Sequence, residues 1–281
     1  MNLRIFLLAH LLLQVIVASA MQSPQQNDGI VYRVACQEDT LQLLQLINTQ
    51  AIHDRDKIVI LPKKFRLMAL EAGIKKNRYF IAENAGHIVG YKKLFLMTDE
   101  EEKKDVLAHE IRCINNECNC TFNGLIDKNG VFHENGSAQP NNDYDLCIYN
   151  GGDFTLPTYR GKGINQQLTN YALMSLIGQV RQQMQKTKAS AITMLFGLTQ
   201  ANAGQYPGSF SDRTSTIVKS FKIFLNEIEN RQNESPLIYH RYRAFMPTFD
   251  PESQECKPLA DEYSIPGFGC VLTYQLGGLH E

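Results

Sequence analysis

Apolar residues along this chain recur with two different periods, and the switches between them mark out its elements. Ile30-Val31-Tyr32-Arg33-Val34-Ala35 alternates as a strand does. Glu38, Asp39 and Thr40 then load a helix start with acids and a cap candidate, and Leu41, Leu44, Ile47, Ala51 and Ile52 form its apolar stripe. A second helical segment, near residues 62–76, places Phe65, Met68, Ala69 and Ala72 on one face. Arg78 to Glu83 reads as a strand, Asn84-Ala85-Gly86 as a turn, and His87 to Leu96 as the antiparallel partner.

The second half is patterned differently. Asp99 to Lys104 is a charge run of the kind that starts a solvated helix. Residues 113–142 are polar, with Asn, Gly and Asp at turn spacing, so about 99–142 reads as an insertion carrying one hairpin near 119–132. An extended stretch ends at Pro157, and from Ile164 the apolar positions Leu168, Tyr171, Ala172, Ile177 and Val180 follow a helical period. Ala189 to Leu198 is an apolar run suited to a buried strand. Residues 201–213 read as a loop, and Ile217, Val218, Phe221, Phe224, Leu225 and Ile228 mark a further helix. Strands are expected near 239–246 and 269–276, divided by a loop over 249–265.

Composition changes this picture at one end. Arg4 precedes an apolar run from Ile5 to Val17, and Ala18-Ser19-Ala20 gives the small-x-small pattern of a signal-peptidase site. A spanning helix needs roughly 20 apolar residues, and this run is shorter and interrupted by His10 and Gln14. Cleavage after Ala20 is therefore expected. The mature chain would then be secreted, periplasmic or luminal, with no stable membrane insertion. Residues 21–29 are polar and are expected to be flexible, and 30–281 to form a single domain. A net charge of -1, from 28 basic and 29 acidic side chains, leaves no basic face for nucleic acid.

Seven cysteines in an exported chain invite disulfides. Pairing of Cys256 with Cys270, or within Cys113, Cys118 and Cys120, closes short loops, and the odd count leaves at least one thiol or an intermolecular bond. Cys113, Cys118 and Cys120 lack the second pair or the His of a zinc site, so no metal is expected.

The candidate chemistry lies in Asp153-Phe154-Thr155-Leu156-Pro157-Thr158-Tyr159-Arg160-Gly161-Lys162-Gly163-Ile164-Asn165. The order strand, glycine loop, helix brings a close-passing backbone and a helix start to one place. The free amides there, with the positive end of the dipole, favour a phosphate or pyrophosphate. Neither the Walker order nor Gly-x-Gly-x-x-Gly is present. Pro157, Tyr159, Arg160, Gly161, Lys162, Gly163 and Ile164 do match, in order, the acyl-CoA-binding motif Arg/Gln-x-x-Gly-x-Gly/Ala in its longer form, Pro-x-Tyr-Arg-Gly-Lys-Gly-Ile-Gly. In this the chain resembles the GNAT family of N-acetyltransferases. Asn165 departs from the pattern, which has Gly or Ala there.

The resemblance implies an α/β, GNAT-like (acyl-CoA N-acyltransferase) fold: a central mixed, mostly antiparallel twisted sheet flanked by helices. It implies acetyl-CoA as co-substrate, with pantetheine along Phe154, Thr155 and Leu156. Its pyrophosphate would lie against Arg160, Gly161, Lys162, Gly163, Ile164, Asn165 and Gln166. It also implies direct attack on the thioester by a primary amine, of a small molecule or a peptide. A base must first take the amine's proton. Asp153 is the nearest carboxylate in sequence, with Asp145 and Glu83 as alternatives. The segment Ser235 to Phe245 loosely echoes the part of the family that supplies an acid for the leaving thiolate, which brings in Tyr239, His240 and Tyr242. No Cys sits at a glycine-flanked helix start with a His partner, and no Gly-x-Ser-x-Gly elbow occurs. The rival to the enzyme is a secreted, catalytically inactive module that uses the same cleft to bind a partner.

Overall fold

The structure is a computed structural model, and it describes residues 25–27, 29–53, 63–100, 120–134, 146–199, 212–230, 235–246, 248–249, 256–257 and 265–276. Its strands are β1 (Gln25–Asn27), β2 (Ile30–Val34), β3 (Tyr79–Asn84), β4 (His87–Met97), β5 (Cys120–Ile126), β6 (Phe132–Glu134), β7 (Leu146–Thr155), β8 (Ala191–Thr199), β9 (Leu237–Met246), β10 (Thr248–Phe249), β11 (Cys256–Lys257) and β12 (Ile265–Gln275). The helices are α1 (Thr40–His53), α2 (Lys63–Lys75), α3 (Ile164–Thr187) and α4 (Asp212–Glu229).

Ten strands join one sheet in the order β1-β2-β3-β4-β7-β8-β12-β9-β5-β6. Every pairing in it is antiparallel except β7 with β8, which is parallel and is bridged by α3. A parallel pair needs such a crossover, whereas the antiparallel neighbours β1–β2, β3–β4 and β5–β6 are joined directly in sequence. The result is an α/β fold with a mixed, mostly antiparallel sheet and helices on both faces, the architecture that the resemblance implies.

Alternation along the strands divides the core in two. On one face Phe80, Leu94, Ile148, Met194 and Leu272 pack with Leu168, Ala172 and Leu176 of α3 and Phe221 and Phe224 of α4. On the other, Tyr79, Ile81, Tyr91 and Phe154 pack with Leu43 and Leu44 of α1 and Leu70 and Ile74 of α2. At the start of α1, Asp39 Oδ2 accepts from the Cys36 amide at 2.7 Å and from Arg33 at 2.6 Å, and Arg33 also reaches Glu83 at 2.6 Å. That cluster ties the helix start to β2 and β3.

Three expectations need correcting. Gln25–Asn27, expected to be flexible, pairs with β2 as the sheet's first strand, because Gly29 adopts φ 77 and turns the chain back. The expected loop over 249–265 contains β11, which pairs with β10 in a small separate sheet. The expected Cys256–Cys270 bridge is not formed: Cys270 is a buried thiol, with Sγ 3.3 Å from the Tyr239 hydroxyl. The register explains this, since Cys270 lies mid-strand between β8 and β9, whereas Cys256 belongs to the other sheet. The expected hairpin near 119–132 is present as β5 and β6, but it extends the far edge beside β9. The signal segment, Cys113, Cys118 and most of the charge run lie outside the described residues.

Candidate active site

Two adjacent glycines in β7 create the site's geometry. Lys92 lies opposite Asp153 and Leu94 opposite Asn150, so Lys93 alone faces both Gly151 and Gly152. This is a bulge, and it bends the strand that carries it. A Cβ at Gly151 would lie 2.8 Å from Tyr149 Cε1 and 3.2 Å from Lys93 Cδ. A side chain there would require the Tyr149 ring and the Lys93 side chain to shift.

The parallel ladder ends at the same place. β7 and β8 pair from Leu146↔Ile192 to Asn150↔Phe196, and no further. Both strands continue: β7 runs on to Thr155 beside β4, and β8 runs on to Thr199 beside β12. Beyond Asn150 and Phe196 the two strands part, and the β7 backbone has a gap on one side. The Leu156 amide donates to the Val89 carbonyl at 2.9 Å, next to the Gly90↔Thr155 pair. In an antiparallel ladder this turns Thr155's own N–H and C=O away from β4, toward the gap.

The glycine loop follows at once. Pro157–Tyr159 form one tight turn, with the Tyr159 amide donating to Leu156 O at 2.8 Å. Gly161 and Gly163 adopt φ 76 and φ 72, which L side chains rarely take. A Cβ at either would meet nothing within 4 Å, so their surroundings are open. The Gln167 amide makes the first helical bond, to Gly163 O at 3.0 Å. The amides of Ile164, Asn165 and Gln166 precede it and face the open end of α3. That first turn contains no acidic residue. Arg160 and Lys162 stand exposed at its rim, so the local field favours an anion. Arg160 Nε donates to Thr155 O at 3.1 Å, and the Asn84 side-chain amide donates to the Tyr159 hydroxyl at 3.1 Å.

The expected cofactor residues, Phe154 to Gln166, are therefore brought together at one end of the gap. Phe154 itself is buried against α1 and α2. Asp153 lies on the other face and is engaged: its Oδ2 is 2.8 Å from Lys92 Nζ, with the two side chains only 5% and 1% exposed. Glu83 is held by Arg33, and Asp145 lies outside the described residues.

The expected acid segment is not brought to the gap. Tyr239 and His240 lie on β9, which β8 and β12 separate from β7. At about 4.8 Å per strand that is roughly 14 Å across the sheet. Tyr239 is a core residue packed edge-on against Phe132, and His240 is buried mid-ladder opposite Val271 and Asn123. The Tyr242 backbone pairs with Gly269 and Cys120, and its side chain lies outside the described residues.

Two features of the site were missed in the sequence. One is Lys92 as the partner of Asp153, which only the strand register reveals. The other is the bulge, for which Gly151-Gly152 inside a strand pattern was a usable signal. On the face opposite α3, Lys93 Nζ stands 6.0, 5.8 and 5.8 Å from the ring centres of Tyr79, Phe95 and Tyr149. Among the described residues no group of three or more His, Cys, Asp or Glu is placed to hold a metal ion.

No family model and no curated protein matches the sequence. Among solved structures, the chain is similar to an agmatine N-acetyltransferase, at 12% identity over 89% of this chain and 100% of that one, with a TM-score of 0.39. It is similar to the Drosophila melanogaster polyamine N-acetyltransferase, at 12% identity over 88% of this chain and 100% of that one, TM-score 0.39. The diaminobutyrate acetyltransferase of Paenibacillus lautus, solved with its substrate and coenzyme A, gives 11% identity over 88% and 95%, TM-score 0.36. At these values the functional reading rests on the chain's own geometry.

Proposed function

We propose that the chain is an N-acyltransferase that moves an acetyl or other acyl group from CoA to a primary amine by direct attack. The observation that carries this is the parting of β7 and β8 beyond Asn150 and Phe196, next to a glycine loop that opens a 24-residue helix. A pantetheine arm has amide groups that can pair with the outward N–H of Thr155, as an added strand would, while the Thr155 carbonyl already accepts from Arg160 Nε at 3.1 Å. A pyrophosphate fits the amides of Ile164 to Gln166, with Arg160 and Lys162 adding charge. The thioester would then lie near the Gly151–Gly152 bulge, where the backbone is least covered by side chains. Acetyl-CoA enters as a co-substrate, and no metal is needed for amine attack on a thioester.

Asp153, the carboxylate nearest to the loop in sequence, would take the proton of the incoming amine once Lys92 gives it up. That engagement is the one observation favouring the second reading, a binding module that keeps the cleft without the reaction. In either case residues 1–20 are proposed to direct export, so the acyl donor must be met in a lumen or in another cell. A thiol-release assay with acetyl-CoA and a panel of diamines, amino acids and peptides tests the enzyme. Turnover with one class of amine supports it, and binding without turnover on every amine supports the module.

A further inference from the structure

The bulge in β7 has no side chain of its own, because both of its residues are glycine. Gly152 is exposed, so its surface is one that a ligand can reach. A Cβ built on it would meet the Tyr91 hydroxyl at 3.4 Å and Tyr91 Cε2 at 3.9 Å. Among the described residues beyond its chain neighbours, nothing else comes within 4 Å of that point. The phenolic oxygen therefore borders the open space over Gly152. It is also held there. Tyr91 lies on β4 opposite Phe154, is only 5% exposed, and packs in the second core with its ring centre 6.3 Å from that of Tyr79.

We propose that Tyr91 is a catalytic residue: its hydroxyl donates a hydrogen bond to the thioester carbonyl oxygen as the amine attacks, over Gly152. The inference rests on the acyl-CoA reading of the cleft, which puts the thioester at the bulge. As the amine nitrogen bonds to the carbonyl carbon, the C=O electron pair moves onto oxygen, and the oxyanion meets the phenolic O–H. When the pair returns, the C–S bond breaks and the sulfur leaves as a thiolate. The proton that the nitrogen sheds goes to the base and ends on the CoA sulfur, and Tyr91 keeps its own. A phenol suits the donor role better than the acid role, because it ordinarily ionises near about pH 10 and a thiol near about 8.5. A donor fixed by packing needs no reorganisation as the charge develops. Tyr239 and His240, on β9, are held away from this place by the sheet order.

The test compares the wild type with Tyr91→Phe and Gly152→Ala. Each is titrated calorimetrically with acetyl-CoA, melted, and assayed for thiol release with 1,4-diaminobutane, lysine and a lysine-containing peptide as acceptors. Tyr91→Phe keeps the ring and removes only the donor, so kcat should fall about 100-fold with the acetyl-CoA Kd and the melting temperature unchanged. Gly152→Ala sets a methyl at ordinary contact distance from the hydroxyl, on a backbone without the positive φ of the loop glycines. Its fold should hold while turnover falls likewise. Full turnover in either variant overturns the role. So does a loss of affinity in Tyr91→Phe as large as its loss of turnover, since the hydroxyl would then only bind the donor's ground state. Should Tyr91→Phe not fold, Gly152→Ala decides. In all these cases a wild type that binds acetyl-CoA and turns over an amine keeps the enzyme reading standing. A wild type that turns over none of the amines overturns that reading, and the inference with it.

Discussion

Lys92 and Asp153 face one another across β4 and β7, with Nζ 2.8 Å from Oδ2 and both side chains almost wholly out of water. The pair holds the bulged strand to its neighbour one residue past Gly152.

Breaking that pair from one side should be costly. Asp153→Asn takes the carboxylate away from a buried ammonium, and a loss of up to about 3–5 kcal/mol is expected by urea denaturation. The double variant Lys92→Met with Asp153→Leu should recover most of it, since both charges go together. If Asp153 takes the amine's proton, the stable double variant loses roughly 100-fold or more in turnover. Full turnover in that variant would leave Asp153 a purely structural role.

Gly163 separates binding from stability. At φ 72 with open space around it, Gly163→Val costs about 1–2 kcal/mol for the backbone conformation alone. Its side chain also stands where an anion would approach the helix start. CoA affinity should then fall roughly 100-fold, well beyond the stability loss. Parallel small losses in melting temperature and affinity would mean that the glycine serves only the turn.

Much of the fold was legible because its elements are strongly periodic. The helix from Ile164 and the hairpin from Tyr79 to Met97 were read nearly to their ends, since alternation and the Asn84-Ala85-Gly86 turn are local signals. The glycine loop was legible for the same reason. Pairing was not. Nothing local says that β5 and β6 travel to the sheet's far edge, or that Lys92 meets Asp153. A Tyr-His-Arg-Tyr run likewise reads as chemistry until the register puts Tyr239 in the core. Cys256 and Cys270 looked like partners on spacing alone, and the sheet order separates them.

The acid cluster at the start of α1 makes stability depend on pH. Burial raises the Asp39 carboxyl, but the Arg33 hydrogen bonds and the Cys36 amide outweigh it and hold the group below the usual carboxylate range. The folded state therefore binds this proton less tightly than the unfolded chain. The contribution is complete at neutral pH and is lost as pH falls through the carboxylate range toward the folded value. Denaturation of the wild type and Asp39→Asn from pH 7 to pH 3 should show the difference between them shrinking with acid. A difference constant with pH would contradict the assignment.

The thiols give a direct chemical check. Alkylation of denatured, unreduced protein should modify Cys36, Cys147 and Cys270. In the native state Cys36 should react slowly although it is exposed, because its hydrogen bond with Glu38 and its partial burial push the thiol up. A peptide linking Cys256 to Cys270 would contradict the register of β12.

The central claim is that the gap between β7 and β8, with the loop ahead of α3, is an acyl-CoA site. Calorimetric titration of the purified protein with acetyl-CoA tests it most directly. The account predicts saturable binding of one acetyl-CoA per chain, weakened by rising salt because a phosphate-bearing ligand meets Arg160, Lys162 and a helix start. No saturable binding at any salt concentration would contradict it.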